Sequence, residues 1–389
     1  MVSSRQIDKS GVRRILVRAT NWVGDVVMSL PALEVVKENF PTSSITVLAR
    51  PWVVPLFKNH PAVDAIIPFR KGQGYITYCG EMARVIKLIR NEGFDLAILF
   101  QNAFEAALLA CLGGITFRVG YCGDGRGFLL THRIVRDEEV LKGHQVEYYM
   151  ALLQAMGWSG TSRDPSLYAA QEDMEKAESL LHSRGIMEED FIIGLSPGAL
   201  FGDAKRWPAD RFARIGDWAA EKWGARVLVL GSGNETDICE VLSGSMAHRS
   251  YNLCGRTSLG EAIGLISRCN FFVTNDSGLM HVAAALGIPT VAIFGSTDPV
   301  ATGPRGPKTR IVKHEIECAP CLKPECPTDF RCMLSIEPEE VWEEMEILRR
   351  ESDLQSRPFL LTGTVPLTSR WVILTTSAGL FSCRGRLRP

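Results

Sequence analysis

The chain has 389 residues, 46% hydrophobic and 22% charged, with Lys plus Arg at 43 against Asp plus Glu at 44. That length exceeds one ordinary hydrophobic core and supplies apolar material for two. The near-neutral balance argues against a dedicated nucleic-acid binder, and no nucleic-acid partner is expected.

The opening residues, Met1-Val2-Ser3-Ser4-Arg5-Gln6, have no apolar run behind their charge, so a cytoplasmic protein is expected. The most apolar stretches, 96–117 and 279–294, are interrupted by Gln101, Asn102 and Glu105 or by His281, Gly287 and Pro289. Neither reads as a lipid-spanning helix, and any membrane contact would be peripheral. The 11 cysteines, an odd number scattered along the chain, suggest reduced thiols.

In chain order, Arg14-Ile15-Leu16-Val17-Arg18 reads as a strand, Asn21-Trp22-Val23-Gly24-Asp25 as a glycine-containing loop, and the residues to Phe40 as a helix. Ile45-Thr46-Val47-Leu48-Ala49 begins a second strand, with further strands at 65–68, 96–100 and 118–120. This β-α-β rhythm belongs to a parallel sheet covered by helices. It starts again at Phe191-Ile192-Ile193-Gly194-Leu195, with a helix over 208–223, a strand over 226–230, a helix over 258–267, a strand over 271–274, a helix over 279–286 and a strand over 290–294.

The fold class expected is therefore α/β: two Rossmann-like doubly wound domains, over 1–170 and 185–350, facing one another across a ligand cleft at the carboxyl ends of their strands. Residues 351–389 form a tail of unknown role; beyond 355 it carries five arginines and no acid. Its run Trp371-Val372-Ile373-Leu374 could add a strand or belong to a poorly ordered terminus. Periodicity alone does not separate this pairing from other tandem Rossmann architectures.

Four segments carry chemistry. Thr274-Asn275-Asp276-Ser277-Gly278-Leu279-Met280-His281 is a polar turn between an apolar strand and an apolar helix. The open N–H groups of such a helix start suit a diphosphate, and the same residues could equally form a plain capping turn. Ser196-Pro197-Gly198 leads into a loop ending Lys205-Arg206-Trp207-Pro208. Lys205 could neutralise a departing diphosphate, or be a solvated lysine. Gly231-Ser232-Gly233-Asn234-Glu235 follows a strand but lacks the third glycine of a dinucleotide fingerprint; Glu235 could accept from ribose hydroxyls or belong to a helix start. Asp25 stands at the carboxyl end of the first strand, where it could take a proton from a sugar hydroxyl or cap the following helix.

The cysteines Cys318, Cys321, Cys326 and Cys332 are spaced compactly, yet outside the paired pattern of common zinc sites, so packed thiols are expected ahead of a metal. Arg70, Lys71, Arg84, Lys87 and Arg90 are candidates for contact with anionic groups, each of them as readily a solvated surface residue.

At these residues the chain resembles glycosyltransferase family 9, the ADP-heptose:lipopolysaccharide heptosyltransferases. The resemblance covers roughly 11–345 and rests on Asn21-Trp22-Val23-Gly24-Asp25-Val26-Val27-Met28-Ser29, on His144-Gln145-Val146-Glu147, on Ser196-Pro197-Gly198 with Lys205-Arg206-Trp207-Pro208, and on Asn275-Asp276-Ser277-Gly278-Leu279-Met280-His281. It implies the GT-B arrangement and inverting transfer of L-glycero-D-manno-heptose from ADP-heptose to the first heptose of the lipid A inner core. By the same resemblance Asp25 is the general base, Lys205 the phosphate-binding lysine, Glu235 a ribose contact, Asp276, Ser277 and Gly278 the donor-phosphate loop, and Ser196 and His281 further donor-site residues. No cofactor or metal is implied, which agrees with the absence of an evident D-x-D pair. The implied partners are the donor, a lipid A inner-core acceptor and, peripherally, the inner face of the inner membrane. Transfer to another core heptose, and nucleotide-sugar epimerisation on the same architecture, stay open.

Overall fold

A computed structural model describes residues 7–72, 74–161 and 164–356. The chain builds two six-stranded sheets, each with every pairing parallel. The first is made of β1 (Arg14–Arg18), β2 (Ser44–Ala49), β3 (Ala65–Pro68), β4 (Leu96–Leu99), β5 (Phe117–Tyr121) and β6 (His132–Ile134), in the order β3-β2-β1-β4-β5-β6. Its helices are α1 (Val23–Asn39), α2 (Tyr75–Glu92), α3 (Phe104–Leu112), α4 (Glu138–Lys142) and α5 (Gln145–Gln154). After α6 (Gln171–His182) the second sheet repeats the same topology: β7 (Ile192–Ser196), β8 (Arg226–Val229), β9 (Ser250–Asn252), β10 (Phe271–Asn275), β11 (Thr290–Ile293) and β12 (Thr309–Val312), ordered β12-β11-β10-β7-β8-β9.

The second half's helices are α7 (Ala209–Trp223), α8 (Thr236–Ser245), α9 (Leu259–Ser267), α10 (Gly278–Ala285), α11 (Pro299–Thr302), α12 (Arg331–Leu334) and α13 (Pro338–Ser356). The last of these runs without a break through residue 350. The rest of the tail, including 371–374, lies outside the described residues.

The central strands are near-continuous apolar runs because helices cover both faces; Ile15, Val17, Leu96, Ile98, Ile193, Leu195, Phe272 and Val273 are all buried. In each sheet the order reverses between its first and fourth strands, and a crevice opens at such a switch point. Helix α1 packs against α5 on one side and α10 of the other half on another. That double packing explains why it buries Val26, Val27, Leu30, Leu33 and Val36 rather than a single stripe. One hydrophobic cluster accordingly runs through both halves, joining Val26 and Leu33 to Val282 and Ala283, so the two switch points are held face to face.

Candidate active site

The loop after β1 is anchored from below. Arg18, fully buried, donates from Nη1 to the carbonyls of Ala19 and Leu48, while Glu105 balances the guanidinium groups of Arg18 (3.7 Å) and Arg50 (3.2 Å). Trp52 Nε1 donates to Asn21 O at 2.8 Å. Helix α1 then begins with no side-chain cap from Trp22, so among the described residues its first-turn N–H groups have no side-chain cap. Asp25 sits in that turn, half-buried. Burial raises its pKa, and among the described residues no hydrogen bond or neighbouring charge is set against the shift. The nearby Tyr149 hydroxyl is pushed well up, first by burial and next by the Asp25 charge.

Across the cleft, Asn275 is fully buried between the two ends of the lysine loop, donating to Pro197 O (2.7 Å) and accepting from the Trp207 N–H (3.1 Å). Lys205 reaches back to Asp276, Nζ to Oδ2 at 2.6 Å, with the side chains 13% and 5% exposed. The same carboxylate oxygen accepts from Thr297 Oγ1 at 2.7 Å, and the Lys205 ammonium lies 4.8 Å from the centre of the Phe201 ring. Ser277 occupies the N-cap position of α10 without a side-chain cap; its hydroxyl lies 3.1 Å from Thr274 Oγ1 instead. The first-turn N–H groups of α10 therefore also lack a side-chain cap.

The two helix starts meet through glycines. A Cβ on Gly278 would lie 2.9 Å from Val23 Cβ, and one on Gly24 would lie 3.0 Å from His281 Cδ2. His281 is buried, and burial pushes its pKa down to about 4, so it is neutral at physiological pH. A second bridge joins the halves nearby. His144 Nδ1 accepts from the Val146 N–H (3.1 Å), so Nε2 carries the proton and donates to Gly303 O at 2.8 Å. Glu147 pairs with Arg305 at 2.9 Å.

Between the helix starts is a cavity of ≈ 310 Å³ whose lining includes Trp22, Asp25, Phe201, Lys205, Asp276, Ser277, Gly278 and His281. A second cavity of ≈ 400 Å³ lies wholly in the first half. It shares Trp22 and Asp25 with the first and adds Gln101, Asn102, Arg136, Gln145, Tyr148 and Tyr149. Asp25 is the carboxylate at their junction. Behind the second cavity the buried Arg126 donates to Gln101 O and Asn102 Oδ1, and Asn102 Nδ2 donates to Tyr148 OH.

The structure thus brings Asp25, Lys205, Asp276, Ser277, Gly278 and His281 to one cavity. Ser196 and Glu235 are outside its lining. Ser196 is 2% exposed, inside the β-ladder opposite Thr274. Glu235 turns back to cap its own helix start, Oε2 accepting from Ser232 N (2.7 Å) and Ser232 Oγ (2.8 Å), while Oε1 sits where a side chain on Gly198 would go. Arg70, Lys71, Arg84, Lys87 and Arg90 line neither cavity; Arg84 binds Glu81 and Arg90 donates to Leu112 O. Among the described residues no group of three or more His, Cys, Asp or Glu side chains is arranged to hold a metal ion. Cys332 is buried, Cys318 is exposed, and Cys326 accepts from the Phe330 N–H at 3.2 Å.

Residues 82–330 match the model of glycosyltransferase family 9 (heptosyltransferase). The chain is 33% identical to lipopolysaccharide heptosyltransferase 2 of Salmonella typhimurium over 87% of its own length and 99% of that protein's. The same protein of Escherichia coli is also 33% identical, over 86% and 98%. Among solved structures, that of E. coli ADP-heptose lps heptosyltransferase II superposes with a TM-score of 0.74 at 30% identity, covering 87% of this chain and 99% of that one. A family 9 glycosyl transferase from Veillonella parvula superposes with a TM-score of 0.78 at 24% identity, over 87% and 97%. The chain belongs to glycosyltransferase family 9, and its fold is the GT-B arrangement of two facing Rossmann-like halves.

Proposed function

We propose that this chain transfers L-glycero-D-manno-heptose from ADP-heptose to the first heptose of the lipopolysaccharide inner core, inverting the anomeric centre. One observation carries the reading: a desolvated, uncompensated carboxylate, Asp25, shares a cavity with Lys205 and the uncapped start of α10. The donor diphosphate lies against Lys205 and the α10 N–H groups, and the acceptor sugar occupies the second cavity. Asp25 takes the proton of the acceptor hydroxyl as its oxygen attacks the anomeric carbon. The bond from that carbon to the diphosphate breaks on the opposite face, and the electron pair leaves with ADP. Lys205 and the helix start stabilise the charge that builds there. Because the attack is direct, no covalent nucleophile is needed. The acceptor is lipid-anchored, so the enzyme works from the cytoplasmic side of the inner membrane.

The test is incubation of the pure protein with ADP-heptose and a panel of truncated core acceptors, followed by mass analysis. Acceptor-dependent ADP release with gain of one heptose, on the acceptor bearing a single heptose, is the expected result. Interconversion of the sugar nucleotide without an acceptor, or gain only on an acceptor without heptose, would overturn it.

A further inference from the structure

The wall of the second cavity is mostly neutral and rich in hydrogen-bonding groups. Asn21, Gln101, Asn102 and Gln145 contribute amides, and Arg136 is the one cation in the lining. Such a wall suits a ligand that carries many hydroxyls. Gln101 makes the case specific: its Oε1 is buried, and among the described residues nothing donates to it. A buried acceptor left unpaired destabilises the fold, and a ligand hydroxyl donating to it removes that penalty.

Trp22 is the second group without a partner. It is 62% exposed although it lines both cavities, and among the described residues no ring, cation or hydrogen bond engages its indole. An open indole beside a cavity is a platform for a sugar. The C–H groups on one face of the sugar ring pack against the negative π surface, and Nε1–H at the ring edge donates to a hydroxyl. The backbone under this platform is pinned by the hydrogen bond from Trp52 Nε1 to Asn21 O. Asp25 follows one helical turn later, so a ring lying on the indole presents a hydroxyl to that carboxylate.

We propose that Trp22 and Gln101 form the seat of the acceptor sugar: its apolar face lies on the indole, one hydroxyl donates to Gln101 Oε1, and the attacking hydroxyl faces Asp25. This subsite rests on the reading above that a heptose is the acceptor, and it makes the two residues determinants of which sugar is accepted. The nucleotide is left to the facing wall, with Lys205 and the start of α10.

The test gives the full chain ADP-heptose and a delipidated core saccharide ending in a single heptose, read by steady-state kinetics, tryptophan fluorescence and calorimetry with ADP. Trp22→Ala should raise the acceptor KM about ten-fold and leave the melting temperature unchanged, because the side chain is exposed. Trp22→Phe should recover part of that loss. The saccharide should shift the emission of the parent chain to the blue as the indole leaves water, and the shift should vanish in Trp22→Phe. Gln101→Leu should raise the acceptor KM about five-fold and also raise the melting temperature, since it removes the unpaired acceptor. In all three variants ADP affinity should stay within about two-fold of the parent's. An unchanged acceptor KM in Trp22→Ala, or a loss confined to ADP affinity, would overturn the platform while leaving heptosyl transfer intact. A lower melting temperature in Gln101→Leu would overturn the part given to Gln101. A parent chain that neither binds nor glycosylates the saccharide would sink the proposed reaction, and the subsite with it.

Discussion

Two aspartates face the same cavity from opposite halves of the chain, and their surroundings are opposites. Asp276 is neutralised: an ammonium at 2.6 Å and a hydroxyl at 2.7 Å share one of its oxygens. Asp25 has neither. Burial raises its pKa, and no described group offsets the shift. A paired carboxylate holds a geometry; an uncompensated, desolvated one is available as a base. Under the proposed function, the first half supplies the base and the second grips the leaving group, although the two sheets share one topology.

Substitutions at Asp25, Lys205 and Gly278 sharpen or break that contrast. Asp25→Asn should lower kcat about 10³-fold, the scale of a lost general base, with ADP affinity by calorimetry nearly unchanged; a variant that keeps its kcat would end the assignment. Lys205→Met should lower kcat about 10²-fold and also the melting temperature, because Asp276 loses its cation. Lys205→Arg should recover part of both, and equal kcat in all three would separate the lysine from the leaving group. Gly278→Ala should lower kcat/KM about ten-fold, because a new Cβ meets Val23 where the helix starts touch. Adding Val23→Gly, which removes the opposing atom, should restore it.

The smallest effect has the opposite sign from the first. The folded pKa of Asp25 lies above its unfolded value, so between the two the folded chain holds the extra proton and stability falls as pH rises through that window. Above the window the ionised group is a net cost. Asp25→Asn should therefore raise the melting temperature at pH 7 by about 1–2 °C, while in the parent kcat/KM falls as pH drops through the raised pKa. An unchanged or lower melting temperature would show that Asp25 is held by a partner.

The strand, loop and helix rhythm was legible in the residues because buried parallel strands are apolar throughout and their helices begin at polar turns. Asp25, Lys205, Asp276, Ser277, Gly278 and His281 were readable for that reason: each stands on or beside a loop at the carboxyl end of a strand, where the fold places its crevice. Glu235 carries a local signal of its own, since Ser232-Gly233-Asn234-Glu235 has the spacing of a capping box, and the structure closes that box. Gly278 reads locally as room for a ligand, but its missing side chain makes room for Val23 of the other half. Trp22 and Phe201 lie within the two loops already singled out, whereas Thr297, Arg136 and Tyr149 reach the site only through tertiary contact between segments far apart in the chain. Nothing in their own neighbourhoods announces it.

The most direct test of the central claim is a crystal structure with ADP bound. The account places the terminal phosphate against Lys205 Nζ and the first-turn N–H groups of α10, with the Asp25 carboxylate on the facing wall of the same cavity. A terminal phosphate bound away from Lys205, or an Asp25 turned out of that cavity with the nucleotide in place, would contradict it.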